Sequence, residues 1–374
     1  MTYQVKEISG KSALKRFIKF PMELYKGVYG YVPPIMQLEI STFLPHKNPA
    51  FDHCEAKFWI VEEGSKIVGR IAAIIHRQEF EEKKLARFGW IDFDDNEEIS
   101  KLLIETASVW AKSKGASGLH GPLGFSDNDF MGSLISGFDQ MATQATIYNF
   151  PYYQSHFEAL GFTKAVDWVE ARGWVPDELP RRLTRSASIV SSRFGLRSKK
   201  FKNRKEILPY AEGVFKVLNQ AYKGLYGFYE LSDRQIKYYV DQYFGFVDKD
   251  FLSIIVNKED EVVGAGISLP SLSKAFKKAN GNLFPFGFIH VLMALRSKEH
   301  LDMLLIGVDP KYQKMGANVL MFHEVFQAYK SKGVRYVSTG PMLENNQAVL
   351  NLWNEFENQR DQVDIRRRCY LKEI

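Results

Sequence analysis

The residues of this chain best suited to hold a charged ligand are Lys311-Tyr-Gln-Lys-Met-Gly-Ala-Asn318, a short loop between an apolar run and a helix-periodic segment. Met303, Leu304, Leu305, Ile306 and Val308 form a run short enough for a strand buried on both faces, and Asp309-Pro310 stops it. Beyond the loop, Val319, Leu320, Phe322, Val325, Phe326 and Tyr329 recur at three- and four-residue spacing, which predicts a helix. The first amides of such a helix have no partner within it and stand at the positive end of its dipole. Gly316 permits close backbone approach and Lys314 adds a charge, so the loop reads as an anion site. The alternative is an ordinary strand-loop-helix connection.

Other chemistry-bearing residues are sparse. His46 and His53 share a polar loop without the carboxylate-histidine pattern of a metal site, and Cys54 and Cys369 lie far apart without partners at ligand spacing. No metal and no disulfide framework is expected. No Ser-His-Asp or Walker pattern supports hydrolase or nucleotide chemistry. The formal net charge of +6 is local: Arg181 to Lys205 holds ten Lys/Arg and no acid, so the rest of the chain is net acidic. A solvated connection is the usual meaning of such a run, with anionic lipid or nucleic acid as the alternative. No helix-turn-helix, finger or RNP-type sequence accompanies it, so no specific nucleic-acid partner is expected.

The elements that must position the loop belong to a chain of 374 residues, comfortable for two domains. Its composition, 45% hydrophobic and 25% charged, is that of a soluble globular protein. The longest nearly uncharged apolar stretch, Leu283 to Leu295, is thirteen residues, against the roughly 20 needed to cross a bilayer. Met1 to Phe17 has no apolar signal core, and a cytoplasmic location is expected. Residues 3–30 read as a strand and an amphipathic helix, and Lys57–Glu63 with Ile67–Ile75 as a hairpin. A strand follows at Phe88–Phe93, then a helix over Ile99–Lys114 with Leu102, Leu103, Thr106, Val109 and Trp110 inward, then a strand at Gly118. A second hairpin, Phe251–Val256 and Val262–Leu269, repeats the Val68-Gly69 of the first as Val263-Gly264, and Gly121-Pro122 recurs as Gly340-Pro341. These echoes indicate duplication. Ser271 to His300 is inserted in the second copy: Lys274, Lys277 and Lys278 around Phe276, the apolar run 283–295, then Arg296 and Lys298. It reads either as an interfacial helix or as a lid over the sheet.

The strand, loop and helix resemble motif A of the GNAT superfamily of acyl-CoA N-acyltransferases; Val308, Pro310, Tyr312, Gln313 and Gly316 match, and Asn318 stands where that family prefers Gly or Ala. The resemblance implies that acetyl-CoA or another acyl-CoA is the co-substrate. Its diphosphate would fall to the amides of Gln313, Lys314, Met315, Gly316, Ala317 and Asn318, and its pantetheine beside Ile306 and Val308. Met342 to Leu350 resembles motif B, which gives Asn345 or Asn346 a donor contact. Leu352 or Trp353 stands where many members carry a Tyr acid, and a water relayed to Glu344, Asp302 or a residue of the first domain is the expected base. Phe20-Pro21, Val32-Pro-Pro34, Gly137-Phe-Asp139, Asn149-x-Pro-Tyr-Tyr153, Asn219-x-Ala-Tyr222 and Tyr226-Gly-Phe228 are similar to elements of tandem-GNAT bacterial proteins of unassigned substrate.

What the resemblance implies is an α/β protein of two tandem GNAT-like domains, each a mixed, mostly antiparallel sheet flanked by helices. Residues 1–175 would form a domain lacking the pyrophosphate loop, since acidic Asp94-Asp-Asn-Glu-Glu98 stands in its place. Residues 176–205 would be a basic linker and 206–374 the acyl-CoA-binding domain. Asn128, Asn149, Tyr152, Tyr153 and Tyr226 are the acceptor candidates, with core or cap roles as the alternative for the tyrosines. The expected function is transfer of an acetyl or longer acyl group to an amine of a small or lipid-like acceptor. The rivals are a degenerate CoA- or metabolite-binding protein and a membrane-associated binding protein, with peripheral contact through 271–300 or 181–205.

Overall fold

The computed structural model describes residues 2–241 and 247–374. The chain divides into two compact units, neither contiguous in sequence. The first comprises Met1–Val169, Leu272–Leu292 and Asp364–Ile374, and the second Glu170–Ser271 and Met293–Val363.

In the first unit β1 (Tyr3–Glu7) precedes α1 (Gly10–Leu24) and α2 (Met36–Thr42); then come β2 (Cys54–Glu63), β3 (Lys66–His76), α3 (Arg77–Lys83), β4 (Leu85–Phe93), α4 (Glu97–Ser113), β5 (Gly118–Gly121), β6 (Ser133–Ser136), α5 (Tyr152–Ala159) and β7 (Thr163–Glu170). The expected hairpin is β2 and β3, paired from Cys54↔His76 to Glu63↔Lys66. Leu14, Phe17 and Ile18 of α1 pack on one face of the sheet with Ile60, Ala72 and Ile74. Helix α4 covers the other face, but with Ile99, Leu103, Ile104, Ala107 and Ala111 inward. Val109, expected inside, is 69% exposed. Small alanines let the helix lie close to the strands, and their weak apolar signal shifted the expected face toward larger residues.

The second unit opens with β8 (Arg172–Trp174), α6 (Arg181–Phe194), β9 (Arg197–Lys199), α7 (Leu208–Tyr222), α8 (Asp233–Tyr239), β10 (Leu252–Val256) and β11 (Val262–Pro270). After α9 (Ser273–Ala279) and α10 (Gly287–Leu295) it resumes with β12 (His300–Val308), α11 (Pro310–Gln313), α12 (Ala317–Lys332), β13 (Tyr336–Thr339), β14 (Met342–Leu343) and α13 (Gln347–Asn354). Its sheet runs β8-β13-β12-β11-β10-β9, antiparallel except for β12 with β13. Helix α7 packs on one face through Val214, Phe215 and Leu218. Helices α6 and α12 share the other, where α12 buries Leu320, Phe322, Val325, Phe326 and Tyr329 at about 1.5–3 kcal/mol each.

Two sequence expectations change here. Residues 176–205 are not a bare linker: Leu183, Ala187 and Val190 of α6 enter the core, and β9 pairs with β10. The charges lie outward, with Arg181, Arg182, Arg185 and Arg193 exposed. Nor do continuous halves at 1–175 and 206–374 match the compact units. Strand β8 pairs with β13 in the second unit, whereas β15 (Ile365–Glu373) sits between β5 and β7 in the first, antiparallel to β5.

Candidate functional site

In the second unit, β12 is paired with β13 over only four residue pairs, His300↔Tyr336 to Met303↔Thr339, then continues alone on that side to Val308. The cause is local. Against β11 the register jumps from Ile267↔Leu305 to Ser268↔Met303, so Leu304 is an extra residue, a bulge that bends the strand. Leu304, Leu305 and Ile306 are accordingly only partly buried, where the sequence predicted burial on both faces.

The bent strand runs into the loop. Asp309 caps α11 through Lys311 N–H at 2.8 Å, and the Gln313 side chain donates to the Val308 carbonyl at 2.9 Å. Met315 and Gly316 N–H turn back to the Tyr312 and Gln313 carbonyls at 3.1 and 2.9 Å, so these two amides are spent within the loop. Ala317 and Asn318 then head α12 as its first donors, which no turn of the helix can satisfy. Gly316 holds φ +82°, and a Cβ there would lie 2.8 Å from Val190 Cγ2 of α6. The helix read as linker thus fixes the loop from behind. Lys314 is exposed, Met315 and Asn318 are partly buried, and Ala317 is buried.

One residue the sequence reading did not single out meets this strand edge. The Tyr222 hydroxyl, at the end of α7, accepts from Ile306 N–H and donates to Ile306 C=O, both at 3.1 Å. Gly307 makes room for α7, because a Cβ there would come within 2.9 Å of Ala221. The family-like Asn219-x-Ala-Tyr222 was the available signal; its geometry was not.

The motif-B segment lies in the same unit. Asn346 heads α13, its carbonyl accepting from Val349 and Leu350 N–H, and Asn345 is exposed. Glu344 is partly buried, while Asp302 is 1% exposed beside His300, with Nε2 to Oδ1 3.5 Å. Trp353 points into the core against Phe322, Phe326 and Phe356. Tyr226 is partly buried in the turn after α7.

In the first unit the corresponding strand end is filled by its own tyrosines. Tyr153 OH accepts from Phe93 N–H at 3.1 Å, Tyr152 OH donates to Phe93 C=O, and Tyr153 joins Tyr25, Asp92 and Arg70 in a buried network. Asn149 is 3% exposed and clamps Leu134 through both backbone groups. Asn96 caps α4, with Glu97 and Glu98 in its first turn. Asn128 is exposed, in a turn where Asp129 accepts from Ser126 N–H at 3.0 Å. Burial pushes Asp127 up to about 7 and Asp129 up to about 6. His53, Cys54 and His76 bring ligand atoms within 4.8 Å of one another. Burial lowers His76 to about 3 and raises Cys54 to about 12, and the nearby Arg87 is ion-paired with Glu79.

A family model described as an acetyltransferase (GNAT) domain matches residues 288–346. Protein YghO of Escherichia coli (strain K12) is 29% identical over 323 residues, covering 84% of this chain and 81% of that protein. A bacterial ceramide synthase of Caulobacter vibrioides (strain NA1000 / CB15N) is 26% identical over 312 residues, covering 80% and 79%. In fold, the chain is similar to a tandem GNAT protein from the clavulanic acid biosynthesis pathway, at 13% identity and a TM-score of 0.56 over 100% of this chain and 98% of that one. These likenesses support an acyltransferase in general. The chain is thus similar in fold to tandem GNAT proteins, and its residues 288–346 match the acetyltransferase (GNAT) domain model.

Proposed function

We propose that the protein moves an acyl group from a CoA thioester to the primary amine of an amphiphilic acceptor. The observation that carries this reading is the bulged β12, which parts from β13 and leads straight into the Gly316 turn, so that an open strand edge and a helix N-terminus stand in line. Such an edge suits the amides of a pantetheine arm, and such a terminus its diphosphate. Ala317 and Asn318 amides with the Lys314 ammonium would hold the phosphates, and Ile306 N–H would meet a carbonyl of the donor in place of Tyr222.

In the reaction the amine nitrogen attacks the thioester carbonyl, the new C–N bond forms, and the C–S bond breaks to release a thiolate. The acceptor ammonium, near pKa 10.4, must first lose a proton, and a water relayed to Glu344 is the route we assign. A thiol of pKa near 8.5 leaves without an acid, which accommodates the turn of Trp353 into the core. A relative named a ceramide synthase supports an amphiphilic acceptor, because a ceramide is the amide of a fatty acid with a long-chain amino alcohol.

Isothermal titration of coenzyme A against the wild type and a Gly316→Glu variant tests the donor site. Binding by the first and none by the second is expected; a wild type that does not bind overturns the reading. Thiol release from acetyl-CoA and palmitoyl-CoA, with a short amine and a long-chain amino alcohol, tests turnover. Binding without release would favour the second reading, a CoA-binding protein, for which the turn of Trp353 into the core, where an acid would stand, also speaks.

A further inference from the structure

From Ser271 to Lys298 the chain has five cations, Lys274, Lys277, Lys278, Arg296 and Lys298, and no acidic residue. Within that basic frame Phe284 is 72% exposed, Phe286 69%, Leu292 51% and Met293 67%, with Phe288 and Ile289 also uncovered. Six of the twelve exposed large apolar side chains among the described residues are therefore gathered in ten consecutive positions. Isolated exposed apolar residues are ordinary; a contiguous set is not.

The set is held rigidly. A Cβ on Gly287 would lie 1.9 Å from the Asn282 carbonyl oxygen and 2.9 Å from Ala279 Cβ, so the start of α10 closes tightly on the end of α9. The Gly281 carbonyl accepts from Met36 N–H at 2.9 Å, and Lys277 Nζ donates to the Val28 and Tyr29 carbonyls at 2.7 and 2.5 Å. Phe288 N–H closes onto Leu283 C=O at 2.7 Å. These ties leave the rings of the 284–288 turn outward, and the alternative of a lid packed over the sheet does not describe them. Lys274 and Lys278 remain exposed on α9.

We propose that this helical hairpin is a docking surface for an anionic lipid bilayer. Its phenyl rings and Leu292 enter the boundary between headgroups and acyl chains, and the exposed Lys274 and Lys278 ammonium groups stay with the phosphates. Helix α10, nine residues long, lies on the bilayer and does not cross it, since about 20 residues are needed to span. The charges argue against a second copy of the chain as the occupant. A two-fold interface would set this patch against itself and bring cations opposite cations. The inference is independent of the acyl-transfer reading.

Sedimentation of the full chain with vesicles tests it. The wild type should pellet with phosphatidylcholine vesicles containing phosphatidylglycerol, and much less with phosphatidylcholine alone or in high salt. Phe284→Ser/Phe286→Ser and Lys274→Gln/Lys278→Gln should each lower the partition coefficient about tenfold or more. Both double variants change exposed side chains, so their melting temperatures should match the wild type. Equal pelleting of wild type and phenylalanine variant overturns the proposal, as does a wild type that ignores anionic vesicles. A wild-type dimer by analytical ultracentrifugation, dissociated by the phenylalanine changes and indifferent to vesicles, would assign the surface to self-association instead.

Discussion

Gly316 and Tyr222 set the terms of the donor site at the scale of single residues. Replacing Gly316 by Ala costs about 1 kcal/mol for the left-handed backbone alone, and the added methyl then meets Val190. Urea unfolding should show that loss, and titration of coenzyme A should show affinity weakened about tenfold or more. Val190→Ala in the same chain relieves the contact and restores only part of the stability. Tyr222→Phe removes the hydroxyl that satisfies both backbone groups of Ile306, at about 1 kcal/mol. Donor affinity should nevertheless rise, because the donor no longer displaces that hydroxyl; weaker binding in titration would show that Tyr222 assists the donor. The first residue was legible in the sequence, since a glycine between an apolar run and a helical period implies its own turn. The second was not, because nothing in the local pattern says that a side chain 84 positions away will reach the bulged strand.

Among the elements, the turn from Ser126 to Asp129 makes a pH-dependent contribution. Asp127 Oδ1 is buried without a hydrogen-bond partner among the described residues, and burial raises its pKa from 3.8 to about 7. A raised folded-state value means that the group's favourable contribution is present below about pH 4 and is lost as pH rises through about 7. Asp127→Asn should therefore melt higher than wild type at pH 8, by an amount on the order of 1 kcal/mol, and the gain should shrink steadily toward pH 5. Thermal melts of the two proteins at several pH values check this. Elements with strong periodicity were readable: both hairpins and α12 fall where alternation and three-four spacing put them. Helix α6 was not read as one, because its buried stripe is only Leu183, Ala187 and Val190 within a run of cations. A Leu183→Ala variant should lose about 2–3 kcal/mol in urea unfolding, a cost no solvated linker would incur.

For the whole molecule, the strand between β5 and β7 of the first unit's sheet is β15, Ile365–Glu373. It buries Ile365, Cys369 and Tyr370, and Arg368 grips Asp167 of β7 through two bonds at 2.8 and 3.0 Å. Hydrogen exchange on a chain ending at Val363 should show β5 and β7 deprotected well before β10 to β12 of the second unit. The duplication was visible in repeated Val-Gly and Gly-Pro pairs, but which sheet each late strand would join was not. Strand pairing is settled by which edge stands open, and alternation alone does not report that. During synthesis the first 169 residues leave the ribosome with a gap in their sheet, and some two hundred more must be translated before the filler arrives. Unpaired edges exposed for that interval invite intermolecular pairing, so the early half should depend on chaperones more than its size suggests.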